Sequence, residues 1–424
     1  MSPDWTDHAR TGSGASADRD PVVIWGRRTA FGRRGGVFSR VSAGRLLAPV
    51  LRAVAADAGL AVAQIDDVII GNATGGGGNL ARLALLEAGF PVSVPGLTVD
   101  RQCGSGLEAI VLACRLVAAG AGSLYLAGGV ESCSTAPLRA HRLTSAPGAP
   151  DFFDRVRFAP ESVGDPDMGS AAENVAEAFG IDRNRQDAFA ARSHRLATAA
   201  RAAGDFDAEI VGIPAGDQGG AGEEFVTRDE GPRATLDAGL LRRFPPAFRP
   251  GGTVTAGNSC ADADGAVVVL VTNRTRAREL SAGTGEASAG HAHAGFPATG
   301  VLAFVDAVAS GTDPNLLGIG GGEAAGTLLA RTGLAPADLS RIEMNEAFAA
   351  QVLASLDLIG VPEARANSQG GGLALGHPFG ASGALLVLRL LQQSRTDGVD
   401  NARSLAAVSI AGGLGLAALF RWEA

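Results

Sequence analysis

Residues 59–73, GLAVAQIDDVIIGNA, align without a gap with residues 333–347, GLAPADLSRIEMNEA. Two further blocks follow in the same order at nearly the same spacing. Ser105-Gly106 and the apolar stretch after them align with Ser382-Gly383, and residues 124–130, LYLAGGV, align with residues 408–414, VSIAGGL. Three ordered blocks indicate a duplicated α/β unit. Each half is predicted to contain, in order, a strand, a helix, a strand, a helix and a strand. The helices are expected to pack on a mostly parallel or mixed sheet.

Superposing the two halves places Gly380 of the second half opposite Cys103 of the first. Each of these residues stands at the start of a predicted helix. We therefore expect two helix N-termini to face each other across a pseudo-twofold axis. Such termini carry unpaired N–H groups and the positive end of a dipole, so this is a natural place for a site.

Composition excludes several function classes. The chain has 424 residues, of which 46% are hydrophobic and 19% charged, as in a soluble globular protein with two or three domain-sized cores. All 36 basic residues are arginine, which removes Schiff-base lysines and the phosphate-binding lysine of a P-loop. A net charge of -8 argues against a nucleic-acid partner.

Cysteine and histidine usage predicts a metal-free protein of a reducing cytoplasm. The four cysteines, at positions 103, 114, 133 and 260, form no CxxC pair and have no histidines at zinc-site spacing. Residues 1–20 are polar and lack the apolar core of a signal peptide, so we expect a disordered tail. Residues 281–296 are interpreted as a flexible insertion, whose His291 and His293 are expected to be solvated. No apolar run reaches the ~18 residues of a membrane span.

Cys103 is the candidate nucleophile. Residues 98–112, TVDRQCGSGLEAIVL, predict a short strand, a glycine-rich turn and an apolar helix that opens near the thiol. A helix N-terminus favours the thiolate, so we expect the pKa of Cys103 to lie below the usual ~8.5. The alternative is a core cysteine that acts as a small hydrophobe.

The second half supplies candidate partners for a thiolate. His377 stands in a glycine-rich turn, residues 376–383, GHPFGASG, where an imidazole can accept the thiol proton or donate to an oxyanion. Asn345 follows a predicted strand and could orient the histidine or a water, or could simply cap the next helix. Ala411 opens residues 411–415, AGGLG, where small residues allow a backbone N–H to approach a substrate or simply pack tightly. His8, His141 and His194 are interpreted as surface residues.

Seven ordered motifs resemble those of the thiolases, acyl-CoA C-acyltransferases of the thiolase superfamily, over about residues 22–421. They are the segment around Cys103 and residues 127–132, AGGVES; 168–176, MGSAAENVA; 252–258, GTVTAGN; 345–348, NEAF; 376–378, GHP; and 412–415, GGLG. The resemblance implies a five-layered αβαβα fold of the α/β class, with mixed sheets in two similar halves. It implies an N-terminal half at 21–135 and 251–280, a loop domain at 136–250 that covers coenzyme A, and a C-terminal half at 297–424.

The resemblance also assigns roles to individual residues. Cys103 is implied to accept the acyl group, with His377 as its activator. Asn345, through a water, and His377 would form one oxyanion hole, and the backbone N–H groups of Cys103 and Ala411 the other. No bound cofactor is implied; coenzyme A thioesters are the substrates. The implied channel residues are Met168, Arg233, Ala256, Cys260 and Phe348. For Arg233, a simple exposed arginine is an equal alternative.

One departure from the family pattern bears on the reaction. Thiolases carry a second cysteine, the general acid and base, where this chain has Ser409. A serine hydroxyl is far too weakly acidic for that task, and loss of a positioned base worth ~10²–10⁴ in rate should impair condensation and its reverse. Cys133 and Cys260 are the other thiols considered for this role, and Cys260 replaces a serine of the channel motif. Asp100 stands in place of the usual asparagine and is expected to oppose thiolate formation.

Three functions therefore remain open. The first is a thiolase that makes or cleaves a 3-oxoacyl-CoA with Ser409 tolerated. The second uses the Cys-His-Asn set for decarboxylative condensation, or for acyl transfer to an amine or hydroxyl acceptor. The third, a non-catalytic binding subunit, is disfavoured because Cys103, His377 and Asn345 are all present. A segment at 137–168 that is shorter than in tetrameric relatives predicts a homodimer.

Overall fold

The computed structural model describes residues 19–141, 149–153, 155–216, 224–283 and 300–424. Most of the predicted tail and of the predicted insertion lies outside these residues. Asp20, which we had placed in the tail, is described, and its Oδ2 lies 3.3 Å from Nε of Arg274. Residues 281–283 belong to the end of a helix rather than to a loop.

Strands and helices alternate in both halves of the chain. The strands are β1 (Pro21–Thr29), β2 (Gly32–Arg33), β3 (Asp67–Gly71), β4 (Gly96–Val99), β5 (Leu124–Ser132), β6 (Arg139–His141), β7 (Asp151–Phe153), β8 (Ile210–Val211), β9 (Ile213–Pro214), β10 (Phe225–Val226), β11 (Ala263–Asn273), β12 (Val301–Gly311), β13 (Leu339–Met344), β14 (Arg403–Ile410) and β15 (Leu414–Glu423). The helices are α1 (Ala43–Asp57), α2 (Leu80–Glu87), α3 (Ser105–Ala119), α4 (Met168–Ala178), α5 (Arg183–Ala203), α6 (Ala238–Leu241), α7 (Arg274–Gly283), α8 (Gly320–Thr332), α9 (Ala349–Leu358), α10 (Gly372–Leu375) and α11 (Phe379–Asp397).

The main sheet repeats one pairing scheme in both halves. In the first half β11 runs antiparallel to β1 and β5, and β3 runs parallel to β5 and β4. In the second half β15 runs antiparallel to β12 and β14, and β13 runs parallel to β14. The halves join where β1 pairs with β12, with Val22 opposite Ala303. Mixed sheets in a duplicated unit are as expected.

Three hydrophobic cores arrange these elements in five layers. Alternate residues of β3 show the two faces of a sheet, since Ile69 lies in the central core with α3 and α11 whereas Val68 and Ile70 lie in an outer core with α1 and α2. The second half mirrors this arrangement, with α8 and α9 over its outer face. Because both faces of each sheet are covered, strands such as β11 are apolar almost throughout. The predicted αβαβα fold is confirmed.

The central helices α3 and α11 cross at glycines. A Cβ added to Gly106 would lie 2.5 Å from the carbonyl oxygen of Gly380, and one added to Gly383 would lie 2.7 Å from the backbone nitrogen of Leu107. Gly106 and Gly383 occupy equivalent positions in the two halves of the repeat. Their close contacts bring the N-termini of the two helices together. Residues 102–119 are apolar and long enough to cross a membrane, but they include this central helix, and Leu107, Ile110 and Val117 lie in the core.

The third block of the sequence repeat was misaligned. The strands pair Val68 with Leu126 in the first half and Ile342 with Leu405 in the second. Since Val68 and Ile342 occupy equivalent positions of the repeat, Leu126 corresponds to Leu405 and not to Ile410. Small residues recur at several positions of both strands, so the sequence alone is easily aligned in the wrong register. The strand pairing fixes the register.

The segment 136–250 is tied to the first half by buried charges. Within it, β8 pairs with β1. The guanidinium of Arg28, on β1, donates to Oε1 of Glu209 at 2.7 Å and to Oδ1 of Asp229 at 2.6 Å, and all three residues are buried. Removing one partner of a buried ion pair costs ~3–5 kcal/mol, so these contacts hold the segment firmly against the core.

Candidate active site

A braced turn holds Cys103. The residue lies in a 3-10 turn, Gln102–Gly104, directly before α3. Gln102 has a φ of 47°, a left-handed conformation that few non-glycine residues adopt, and its N–H donates to Oδ1 of Asp100 at 2.7 Å. The hydroxyl of Ser105 accepts from the N–H of Arg101 at 2.8 Å and donates to the carbonyl of Gln102 at 2.6 Å. These bonds fix the backbone around the thiol, as a preorganised nucleophile requires.

The expectation of a lowered pKa at Cys103 was wrong. Burial raises the pKa of the thiol to about 12, and the carboxylates of Glu131 and Asp262 also raise it. The backbone N–H groups of Ala411 and of Cys103 itself lower the pKa of the thiol, but they do not outweigh burial. The resting residue is therefore a neutral thiol that needs a base, and the charges of Glu131 and Asp262 oppose its ionisation.

His377 is a neutral imidazole held in one orientation. Burial lowers its pKa to about 4. Its Nδ1 lies 2.6 Å from the hydroxyl of Ser382, which donates to the carbonyl of Pro378 at 3.0 Å. Because that hydroxyl proton is used, the hydrogen-bond network assigns the ring proton to Nδ1 and leaves the lone pair on Nε2. The ring can therefore accept a proton at Nε2.

Asn345 lies against the same ring. Its Nδ2 is 3.5 Å from both ring nitrogens of His377, and its backbone N–H donates to Ala407 on β14. It follows β13 directly, whereas α9 begins at Ala349 after Phe348 with no side-chain cap. The alternative of a helix cap was wrong, and the amide faces the imidazole.

The hydroxyl of Ser409 is fully used in hydrogen bonds to neighbouring segments. Its hydroxyl donates to the carbonyl of Gly318 at 2.6 Å and accepts from the N–H of Gly321 at 2.9 Å and from Nε2 of Gln351 at 3.3 Å. One donor and both lone pairs are thus used. These bonds tie β14 to α8 and α9.

A cavity of about 410 Å³ reaches Gly376, the residue before His377, although Cys103, His377, Asn345 and Ser409 are not themselves among its lining residues. Three of the five predicted channel residues line it: Arg233, Ala256 and Cys260. Phe348 stands behind the wall, since its ring packs edge-to-face on Phe248, a lining residue, with 6.0 Å between ring centroids. Met168 also lies outside the lining; it opens α4 where Oδ1 of Asp167 accepts the N–H of Ser170.

Sequence reasoning missed part of this wall. Arg33 and His194 line the cavity with Arg233. His194, interpreted as a surface residue, is buried; its Nδ1 accepts the N–H of Arg233 at 3.2 Å. Burial and the charges of Arg233 and Arg33 lower its pKa to about 4. The wall therefore carries two guanidinium groups and a neutral imidazole, which suits an anionic ligand.

Ser382 was also missed as a functional residue, although a signal for it was available. The repeat aligns it with Ser105, and each hydroxyl braces the turn that precedes one of the paired helices. Among the residues that the structure describes, no group of three or more His, Cys, Asp or Glu side chains could hold a metal ion.

The comparisons with known proteins all indicate the same family. Residues 21–275 match the model of the thiolase N-terminal domain, and residues 299–422 match that of the C-terminal domain. A protein of Staphylococcus epidermidis with the provisional name acetyl-CoA C-acetyltransferase VraB is 42% identical over 95% of this chain and 99% of its own length. Its counterpart in Staphylococcus aureus is 43% identical over 94% and 98%.

Two solved structures share the fold. The acetyl-CoA acetyltransferase of Bacillus anthracis superposes with a TM-score of 0.85 at 32% identity, covering 96% of this chain and all of the other. Human mitochondrial 3-ketoacyl-CoA thiolase, solved in complex with CoA, gives 0.84 at 30% identity, covering 96% and 99%.

Proposed function

We propose, since this chain belongs to the thiolase family and is an acyltransferase, that it works through an acyl-Cys103 thioester and makes or cleaves a 3-oxoacyl-CoA by Claisen chemistry. The observation that carries this proposal is two pairs of groups that Asp262 links. The N–H of Ala411 and the charge of Asp262 both act on the pKa of the Cys103 thiol, and Asp262 pairs through its backbone with His377, whose neutral imidazole faces the amide of Asn345.

Acyl transfer follows from the states of these groups. Nε2 of His377 takes the thiol proton, and the sulfur attacks the carbonyl carbon of a bound thioester. The negative charge that develops on the carbonyl oxygen is stabilised by the N–H groups of Cys103 and Ala411. As the tetrahedral intermediate collapses, the coenzyme A sulfur leaves with the electron pair and receives the proton from His377. Atoms and charges balance without an outside proton donor.

Coenzyme A thioesters are the substrates that the cavity suits best. Arg33 and Arg233 supply the positive charge that phosphate groups require. The wall also has an apolar part, which includes Leu236, Phe244 and Phe248. A long, flexible ligand with an anionic end and a neutral arm matches this distribution of charge.

A homodimer in the cytoplasm is the assembly and compartment that we propose. The strand β4 pairs with β3 on one side and is the last strand of the described sheet. Leu97 on this strand and Leu83 and Leu86 on α2 are exposed, and a second copy would cover them. The four cysteines are free, and a reducing compartment keeps a nucleophilic thiol such as Cys103 usable.

The direct test is turnover of acetoacetyl-CoA with coenzyme A. We expect two molecules of acetyl-CoA per acetoacetyl-CoA consumed, and loss of at least about 10³-fold in the Cys103→Ala variant. Absence of thiolysis with acetoacetyl-CoA and with longer 3-oxoacyl-CoAs would contradict the Claisen proposal.

A second candidate reaction is favoured by the engagement of the Ser409 hydroxyl. An enzyme without a thiol base could still condense acyl-Cys103 with a malonyl-type donor, because loss of carbon dioxide generates the carbanion without proton removal. Condensation that depends on malonyl-CoA, in an enzyme that shows no thiolysis, would select this candidate over the first.

A further inference from the structure

Cys260 lies between the two segments that carry Asn345 and His377. Its backbone N–H donates to the carbonyl of Ala347 at 2.9 Å, and the carbonyl of the next residue, Ala261, accepts the backbone N–H of His377 at 2.9 Å. Two more backbone contacts, between Ser259 and Phe348 and between Asp262 and His377, extend this arrangement on either side. The position of Cys260 is therefore fixed relative to both catalytic side chains.

The thiol of Cys260 belongs to the wall of the substrate cavity. It lines this cavity together with Ala261 and Gly376, and it is only partly buried. Burial raises its pKa, and the negative charges of Asp262 and of a Cys103 thiolate raise it further. The direction of the shift keeps Cys260 protonated at rest.

The other candidates for a second proton-transfer group are unsuitable. Cys114 is a fully buried core residue of α3, and Cys133 is buried beside Asp264 away from the cavity lining. Ser409 uses its hydroxyl to join β14 to α8. Of the four cysteines, Cys260 alone is among the residues that line the cavity.

We infer that Cys260 is the acid and base for the substrate carbon next to the thioester, and thus performs the task that the residue at position 409 cannot. The inference rests on the proposed function, because it concerns the carbon–carbon step that follows or precedes acylation of Cys103. Cys260 would contact the reacting carbon itself and would be a catalytic residue.

The step balances in the direction of cleavage. The Cys103 thiolate attacks the 3-carbonyl of a 3-oxoacyl-CoA, the bond between C2 and C3 breaks, and its electron pair passes to C2. The Cys260 thiol gives its proton to C2, which yields acetyl-CoA and a Cys260 thiolate. Incoming coenzyme A gives its thiol proton to Cys260, attacks acyl-Cys103 and releases the Cys103 thiolate. Condensation is the reverse, with Cys260 as the base that removes the C2 proton.

The test separates acylation from proton transfer at carbon. Full-length wild type and the variants Cys260→Ala, Cys260→Ser and Cys133→Ala are given acetyl-CoA in D₂O. Intact mass follows acetylation of Cys103, and NMR follows exchange of the acetyl methyl protons. We expect acetyl-Cys103 to form in all four proteins, and exchange per acetylated enzyme to be about 10²–10⁴-fold slower in both Cys260 variants only. Thiolysis of acetoacetyl-CoA should fall by a similar factor.

The outcomes are distinguishable. Exchange within about 3-fold of wild type in Cys260→Ser, a change to the residue that the family motif carries, would overturn the inference even if Cys260→Ala failed to fold. Equal loss in Cys133→Ala would also overturn it, because the effect would not be specific to the cavity. Absence of acetyl-Cys103 in the wild type would instead contradict the proposed function.

Discussion

Nδ1 of His377 lies 2.6 Å from the hydroxyl oxygen of Ser382, and that hydroxyl donates to the carbonyl oxygen of Pro378 at 3.0 Å. The pair sets which ring nitrogen carries the proton and therefore which nitrogen can act as a base. Ser382 does not contact the reacting atoms in this arrangement and is a positioning residue.

We predict that Ser382→Ala lowers kcat for acyl transfer by about 2- to 10-fold, because a neutral hydrogen bond contributes ~0.5–1.5 kcal/mol. KM should stay constant, and Ser382→Thr should restore most of kcat. Ser394→Ala is the matched control, since Ser394 lies on the same helix, is buried and has a hydroxyl without a hydrogen-bond partner. Equal loss of kcat in both alanine variants would contradict the positioning role.

Ser409 is expected to affect stability more than chemistry. Its replacement by alanine leaves the carbonyl of Gly318 and the N–H of Gly321 without this partner, which costs ~1–3 kcal/mol for buried groups. Urea unfolding measures the loss, and the rate of Cys103 acetylation should change by less than about 3-fold. Ser404→Ala, on the same strand, is the control, because the buried hydroxyl of Ser404 makes no hydrogen bond. A large loss of acetylation with unchanged stability would show that Ser409 is catalytic.

The carboxyl group of Glu343 makes the folding stability depend on pH. It is buried, accepts from Nε2 of Gln393 at 2.7 Å, and burial raises its pKa to about 7. Between the unfolded pKa of ~4.3 and 7, the folded state holds a proton that the unfolded state has lost, so this carboxyl destabilises the fold as pH rises.

Glu343→Gln should therefore gain stability over wild type as the pH is raised from 4.5 to 8, by on the order of 3 kcal/mol. Urea unfolding at both pH values measures this difference between the two proteins. The control is Glu161→Gln, which removes an exposed carboxylate instead of a buried one. A Glu343→Gln variant that loses stability relative to wild type as pH rises would contradict the burial argument.

The arginines of the cavity wall should act on substrate binding. Arg33→Ala and Arg233→Ala are each expected to raise KM for acetyl-CoA about 10-fold, since charge-assisted hydrogen bonds contribute ~1.5–3 kcal/mol. The effect should shrink at high salt, where charges are screened. The guanidinium of Arg157 pairs with Glu161 at the surface, so Arg157→Ala should leave KM unchanged. Unchanged KM in both wall variants would argue against a phosphate-bearing ligand at this wall.

The sequence was most informative where chemistry depends on local motifs. The turn around Cys103 and the glycine-rich turn around His377 are contiguous in sequence, so their residue types and spacing identify them directly. The duplicated fold followed from the repeat, and both halves show the same scheme of strand pairing. The third block slipped because glycine and alanine recur at several positions of β5 and β14.

Properties that depend on packing were not predictable from the sequence. The pKa of Cys103 is set mainly by burial, which elements far apart in the chain produce together. His194 is buried because α5 packs under the segment that carries Arg233. The direction of the Ser409 side chain depends on which face of β14 meets α8, and one strand residue does not reveal that face.

The most direct measurement of the central claim is the mass of the intact protein after brief exposure to acetyl-CoA, followed by peptide mapping. We predict one acetyl group on Cys103 in the wild type, released on addition of coenzyme A, and none in Cys103→Ala. In His377→Ala the acetylation rate should fall by about 10²–10⁴, because the neutral thiol has lost its base. An acetyl group that maps to another residue, or a wild type that acquires none from acetyl-CoA or from longer acyl-CoAs, would contradict the account.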